Sequence, residues 1–185
     1  RGGRQRVSMG LRFLAMLMMA ASVQAAAWNV TGSSVTFVVM NGGSPVKGTL
    51  TGLKADIRFD PSSLETSSIR ATVEAATIKT GIALRDRHLR SEDYFYSTLY
   101  PKIAMACDRF ESQGNGKYLG AFEITMRGKK KRVDVPFTFR SDGDSGKFSG
   151  TVTIDRTEFG VGGRSRFVAN EAVVTVEVDV KRGAE

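Results

Sequence analysis

The chain has 185 residues, one cysteine, one histidine and a formal net charge of +8, with 41% hydrophobic and 25% charged residues. A lone cysteine excludes an intramolecular disulfide, and a lone histidine excludes a histidine-rich zinc site. Residues 1–27 hold four arginines and no acid, so the remainder carries only +4, and nucleic-acid binding loses its compositional support.

Arg1, Arg4, Arg6 and Arg12 precede an apolar run from Phe13 to Ala21, and Val23-Gln24-Ala25 forms a small-residue cleavage site. Residues 1–25 therefore read as a secretory signal peptide cleaved near 25–27, too short to anchor in a bilayer. Residues 26–185 are expected to form one domain with a sizeable core.

Beyond Ala27 the pattern alternates with a period of two, and helical periodicity is scarce. Val35, Phe37 and Val39 share one face. Val46, Gly48 and Leu50 share one phase, whereas Leu53, Ala55, Ile57 and Phe59 share the other. That change at Thr51-Gly52 predicts a β-bulge or sharp bend. Asp60-Pro61-Ser62-Ser63 stops the strand, and Ile69, Ala71, Val73 and Ala75 begin another.

Arg85 to Pro101, RDRHLRSEDYFYSTLYP, breaks the pattern with charge at its start and an aromatic cluster at its end. It predicts a short helix followed by an aromatic segment that caps whatever the strands build. Strands then resume at Ile103-Met105-Cys107, Tyr118 to Met126, Val133 to Phe139, Phe148 to Ile154 and Val174 to Val180, separated by turn residues. About eight strands joined mostly by short turns predict an all-β fold, an antiparallel up-and-down barrel with a helix-containing insertion near 80–100. Gly48, Gly120 and Gly150 fall in the inward phase, where they either leave space in the lumen or relieve bending at barrel corners.

The chemical motifs are sparse. His88 has no accompanying nucleophile elbow, and its expected role is to hydrogen-bond backbone and seat the loop. Phe159-Gly160-Val161-Gly162-Gly163 lacks the following helix of a dinucleotide loop. Arg156, Arg164 and Arg166 beside it either meet an anionic head group or form a solvated rim. Lys129-Lys130-Lys131-Arg132 is a basic hairpin tip, either a solvated turn or a source of transient attraction to a membrane surface, at about 1 kcal/mol per basic residue. Asp142-Gly143-Asp144 lacks the distal glutamate of a calcium loop and reads as a plain turn. Cys107 reads as a small buried apolar residue. No convergent acid, base and nucleophile set emerges, so no catalytic residue, metal or cofactor is expected.

Four stretches carry a resemblance. They are Val35-Thr36-Phe37 with Val46-Lys47-Gly48 and Ile57-Arg58-Phe59-Asp60-Pro61; Thr80-Gly81 leading to Arg85 through Phe95; Tyr100-Pro101-Lys102-Ile103; and Ile154 through Gly162. Together they resemble the YceI-like family of periplasmic proteins, whose lipocalin-like members bind polyisoprenoid or other long amphiphilic lipids. Two positions depart from its pattern: Tyr96 follows Phe95 where the family usually has Asp, and Arg127-Gly128-Lys129-Lys130-Lys131 makes the hairpin more basic.

The resemblance implies a periplasmic carrier that sequesters a long-chain lipid of the polyisoprenoid, quinone or polyprenyl phosphate type, with no chemistry. Phe37, Phe122, Ile124, Phe137, Phe139, Phe148 and Val176 are the expected lumen lining. Tyr94, Phe95 and Tyr100 are expected near the entrance or as a plug. Arg85, Asp86, His88 and Arg156 are expected to meet the head group or anchor the loop. The alternative is a dry-cored structural or stress-response barrel acting through membrane or protein contacts. Pairing of two chains through barrel edges stays open.

Overall fold

The computed structural model describes residues 24–184, and the signal-peptide reading of residues 1–25 falls almost wholly outside them. The strands are β1 (Ala27–Asn41), β2 (Ser44–Arg58), β3 (Ser68–Lys79), β4 (Lys102–Cys107), β5 (Phe110–Gly114), β6 (Lys117–Met126), β7 (Lys129–Asp142), β8 (Ser145–Asp155) and β9 (Val168–Arg182). Among the described residues there is one α-helix, the short α1 (Ala83–Arg90), between β3 and β4.

Every pairing is antiparallel and, apart from β4 with β6 and β1 with β9, joins neighbours in sequence; the β1–β9 pair closes the cylinder. Both β4 and β5 lie along β6, so the two act as one broken strand and the barrel has eight staves, as the alternation predicts. The register shifts between Thr49 and Lys54 in β2, and Gly52 there takes a left-handed φ of 75°. The phase change read at Thr51-Gly52 is therefore a bulge.

The cylinder has two unlike ends. The β2–β3, β5–β6 and β7–β8 turns mark one, where Trp28, Phe59, Tyr118, Phe122, Phe137, Phe139 and Phe148 pack into a continuous buried cluster. Of the inward glycines, Gly120 and Gly48 are covered by rings, whereas a Cβ on Gly150 would meet Phe137 Cβ and the Pro136 carbonyl, each at 3.2 Å. A Cβ on Gly120 would come within 2.6 Å of the Phe122 ring, and one on Gly48 within 2.1 Å of Phe37, its cross-strand partner. Rings laid over glycines let aromatic side chains lie flat against the wall.

Three aspartates fasten the connections in the same way. Asp60 accepts from the backbone N–H (2.9 Å) and hydroxyl (2.6 Å) of Ser62, Asp86 from those of Thr80 (2.8 and 2.5 Å), and Asp155 from those of Thr157 (2.8 and 2.6 Å). The hydroxyl bond first, then the N–H bond, holds each carboxyl below the usual carboxylate range. A depressed folded pKa adds stability that is complete above the unfolded value, about 3.9, and is lost as pH falls through the folded values. Stability should accordingly be level near neutrality and fall below about pH 4. In Asp86→Asn, the difference in urea midpoint between neutral and acidic buffer should shrink; an unchanged difference would count against this role for Asp86.

Candidate functional site

At the other end the barrel is hollow. A cavity of about 310 Å³ lies between the upper halves of β1, β2, β3, β4, β6, β8 and β9 and the segment that follows β3. Its wall is built from Val35, Phe37, Val39, Leu50, Leu53, Val73, Ile103, Met105, Val152, Val174 and Val176, inward residues of alternating strands. Ile124 and Ile154 belong to both the cavity wall and the aromatic cluster, so they stand at the boundary between hollow and packed halves. Polar side chains in the lining are Asn41, Thr72, Thr80, Arg85, His88, Tyr94 and Arg156.

The segment between β3 and β4 crosses this end as a lid. Arg85 donates from Nε to the Thr80 hydroxyl (2.7 Å) and from Nη2 to the Thr80 carbonyl (2.8 Å), while Asp86 takes the Thr80 N–H and O–H. These bonds seat the start of α1, which has no side-chain N-cap of its own. After the helix the chain folds onto itself: Phe95 N–H donates to the Leu89 carbonyl, Tyr96 N–H to Ser91 and Ser97 N–H to Arg90. Ala75 N–H donates to the Pro101 carbonyl at 2.8 Å and returns the segment to β3.

A second loop, from Arg156 to Phe167 between β8 and β9, meets the lid. It begins as a 3-10 turn, Arg156–Phe159. Gly162 N–H donates to the Asp93 carbonyl at 3.0 Å, and the Tyr94 ring lies where a Gly162 side chain would go. Arg127, on the β6–β7 hairpin, donates from Nη1 to both the Tyr94 and Gly160 carbonyls at 2.8 Å. One guanidinium thus ties three connections across the mouth, an assignment invisible in a hairpin that reads only as basic. Arg127 (φ 48°) and Gly128 (φ 71°) both take left-handed backbone at that turn.

The expected site residues divide by height along the barrel. Phe37, Ile124, Val176, Tyr94, Phe95, Arg85, His88 and Arg156 border the cavity. Phe122, Phe137, Phe139 and Phe148 are placed elsewhere: they face inward but sit in the closed cluster, with Phe139 and Phe148 stacked at 4.4 Å. Tyr100 also lies off the cavity wall, its ring over Gly128. Asp86 is buried, its carboxylate turned to Thr80 rather than to the lumen. His88 does not bond backbone through its ring; Nε2 meets Asp93 Oδ2 at 3.1 Å and the ring stands edge-on to Tyr94. Cys107 is buried, donates to the Arg109 carbonyl, and burial pushes its thiol up.

The YceI-like domain matches residues 27–182. A UPF0312 protein of Vibrio cholerae is 24% identical over 136 residues, 70% of this chain and 72% of its own length. Among solved structures, Burkholderia cenocepacia BcnA superposes with a TM-score of 0.76 at 25% identity, covering 80% of this chain and 95% of BcnA. A polyisoprenoid binding domain from Saccharophagus degradans, implicated in plant cell wall breakdown, shares the fold at a TM-score of 0.67 and 11% identity, covering 87% of this chain and all of that domain.

Proposed function

The chain belongs to the YceI-like domain family, and from that premise we propose that it binds a long-chain amphiphilic lipid and carries it through the periplasm. The observation that carries the reading is the apolar cavity at one end of an otherwise solid barrel, with its polar lining confined to a few side chains. A hydrocarbon tail enters, each CH₂ removed from water contributing about 0.8 kcal/mol against the cost of ordering. The polyisoprenoid binding domain with the same fold supports a prenyl tail. The secretory pattern of residues 1–25 supports the periplasm.

A volume of about 310 Å³ is at the lower end of ligand pockets, which run from roughly 300 to 1,000 Å³. The cavity suits the terminal part of a tail, and the remainder of a long prenyl chain extends past the mouth. Binding needs no catalysis. Arg156 spends most of its donors on loop carbonyls and Arg85 gives Nε and Nη2 to Thr80, so both hold the mouth in shape beside the ligand.

Native mass spectrometry of protein taken from its host tests the reading. A co-purified lipid is expected, and Val174→Trp, which puts a ring into the cavity, should remove it while the protein stays folded. Protein that carries no lipid and refuses prenyl lipids in direct titration would overturn the proposal. That result would favour the dry-cored structural alternative, for which the phenylalanine cluster supplies half a barrel.

A further inference from the structure

The large hydrophobic side chains that stay exposed are distributed at one end only. Among the described residues they are Met40, Ile82, Leu84, Leu99, Phe167 and Val173. Ile82, Leu84 and Leu99 belong to the lid, Phe167 to the loop before β9, and Met40 and Val173 to the upper ends of β1 and β9. Phe167 and Leu84 are each 73% exposed, the largest values of the set. The Gly42 N–H donates to the Phe167 carbonyl at 2.8 Å, so Phe167 is held beside the β1–β2 turn rather than trailing free.

Basic side chains gather at the same end, beside the exposed Glu92, Asp93, Glu158 and Glu171. The β6–β7 hairpin exposes Lys129, Lys130, Lys131 and Arg132, and the loop before β9 exposes Arg164 and Arg166. Of these, Lys130 is paired with Glu123 at 3.1 Å. Arg127 links the two loops through Gly160, so these cations are presented together. At the opposite end the turns carry Asp60, Glu65, Asp142 and Asp144, with Lys117, Arg140 and Lys147 on the adjoining strand ends. A long-range field of this kind turns the hollow end toward a negative surface.

We propose that the hollow end of the barrel docks on an anionic lipid bilayer, with Phe167 and Leu84 entering the interface and the Lys129–Arg132 and Arg164–Arg166 cations resting on head-group phosphates. Apolar side chains alone would suit many partners, but apolar insertion ringed by basic residues is the pattern of a membrane-surface contact. Docking by this end places the cavity mouth against the bilayer, so a tail would pass without crossing water. The docking stands on the surface alone and does not depend on what fills the cavity.

Vesicle co-sedimentation tests it. The protein should bind vesicles of phosphatidylglycerol and phosphatidylcholine, bind pure phosphatidylcholine weakly, and be released by salt. Arg164→Glu with Arg166→Glu should weaken binding roughly tenfold or more. Phe167→Trp should shift its emission to the blue on anionic vesicles, against Trp28, which is buried at the far end. No sedimentation at low salt, or binding that leaves the Phe167→Trp emission unmoved, would overturn the proposal. A blue shift that rises with protein concentration and needs no vesicles would overturn it too, assigning the patch to a second copy of the chain. Native mass spectrometry of the same variants keeps the two readings apart: lipid retained by a variant that no longer binds vesicles separates cavity from surface.

Discussion

Phe59→Ala is expected to cost about 4–5 kcal/mol of folding stability, near the top of the range for deleting a buried aromatic ring. Phe59 is fully buried just beyond the end of β2. Its ring meets Phe110, Tyr118, Phe137, Phe139 and Phe148 edge-on at centroid distances of 5.1–5.8 Å. Each edge-to-face pair adds about 0.5–1.5 kcal/mol beyond buried area, and a barrel wall cannot collapse to fill the hole. Its backbone is fixed as well: the carbonyl accepts from Trp28 Nε1 at 2.9 Å and the N–H donates to Ala26. A loss of that size is a large share of the 5–15 kcal/mol available to a typical domain, about 160 residues here. The urea midpoint checks it, with Phe59→Leu expected to lose about half as much. Because the ring is off the cavity wall, lipid affinity per folded molecule should be unchanged. A loss below about 1.5 kcal/mol would show that the closed end is not the packed foundation described.

The two halves explain which residues were legible. Inward phase can be read from alternation, because a strand sends every second side chain to the lumen. Hence Phe37, Ile124 and Val176 share the inward phase and border the cavity, and Gly52 marks the bulge. Height along the barrel cannot be read that way. Phe137 and Phe139 share the inward phase of Phe37 yet lie beside the β7–β8 turn, at the opposite end from the β1–β2 turn that Phe37 approaches. What sets the height is which turn each residue precedes, together with cross-strand pairs such as Phe139 with Phe148 and Phe137 with Gly150. An up-and-down order makes alternate turns share an end, so that information is implicit in the meander. The lid was legible as a break in alternation. Its fastenings were not, because Arg127 and Arg156 act on carbonyls 33 and up to 13 positions away, where no periodicity points.

Arg156 leads to the second large effect, and it joins stability to the site. The side chain is 6% exposed, and among the described residues no carboxylate lies within ion-pair distance of it. Instead it donates from Nε to the Ala169 carbonyl (2.8 Å), from Nη1 to Val161 (2.8 Å) and Gly163 (3.1 Å), and from Nη2 to Val168 (3.2 Å). Four carbonyls from both arms of one loop converge on a planar fork, which only arginine can present. Bonds to a charged donor contribute about 1.5–3 kcal/mol each, but the loop borders solvent and can rehydrate when they are lost. Arg156→Met should therefore destabilise the protein by about 3 kcal/mol, and Arg156→Lys by nearly as much, since an ammonium cannot span four acceptors. Val161 and Val168 line the cavity, so the freed loop opens its wall. Hydrogen exchange should accelerate from Thr157 to Val168 while the Phe59 cluster stays protected, and bound lipid should leave faster. Equal protection of that loop in Arg156→Met and the parent protein would show that the guanidinium does not hold it closed.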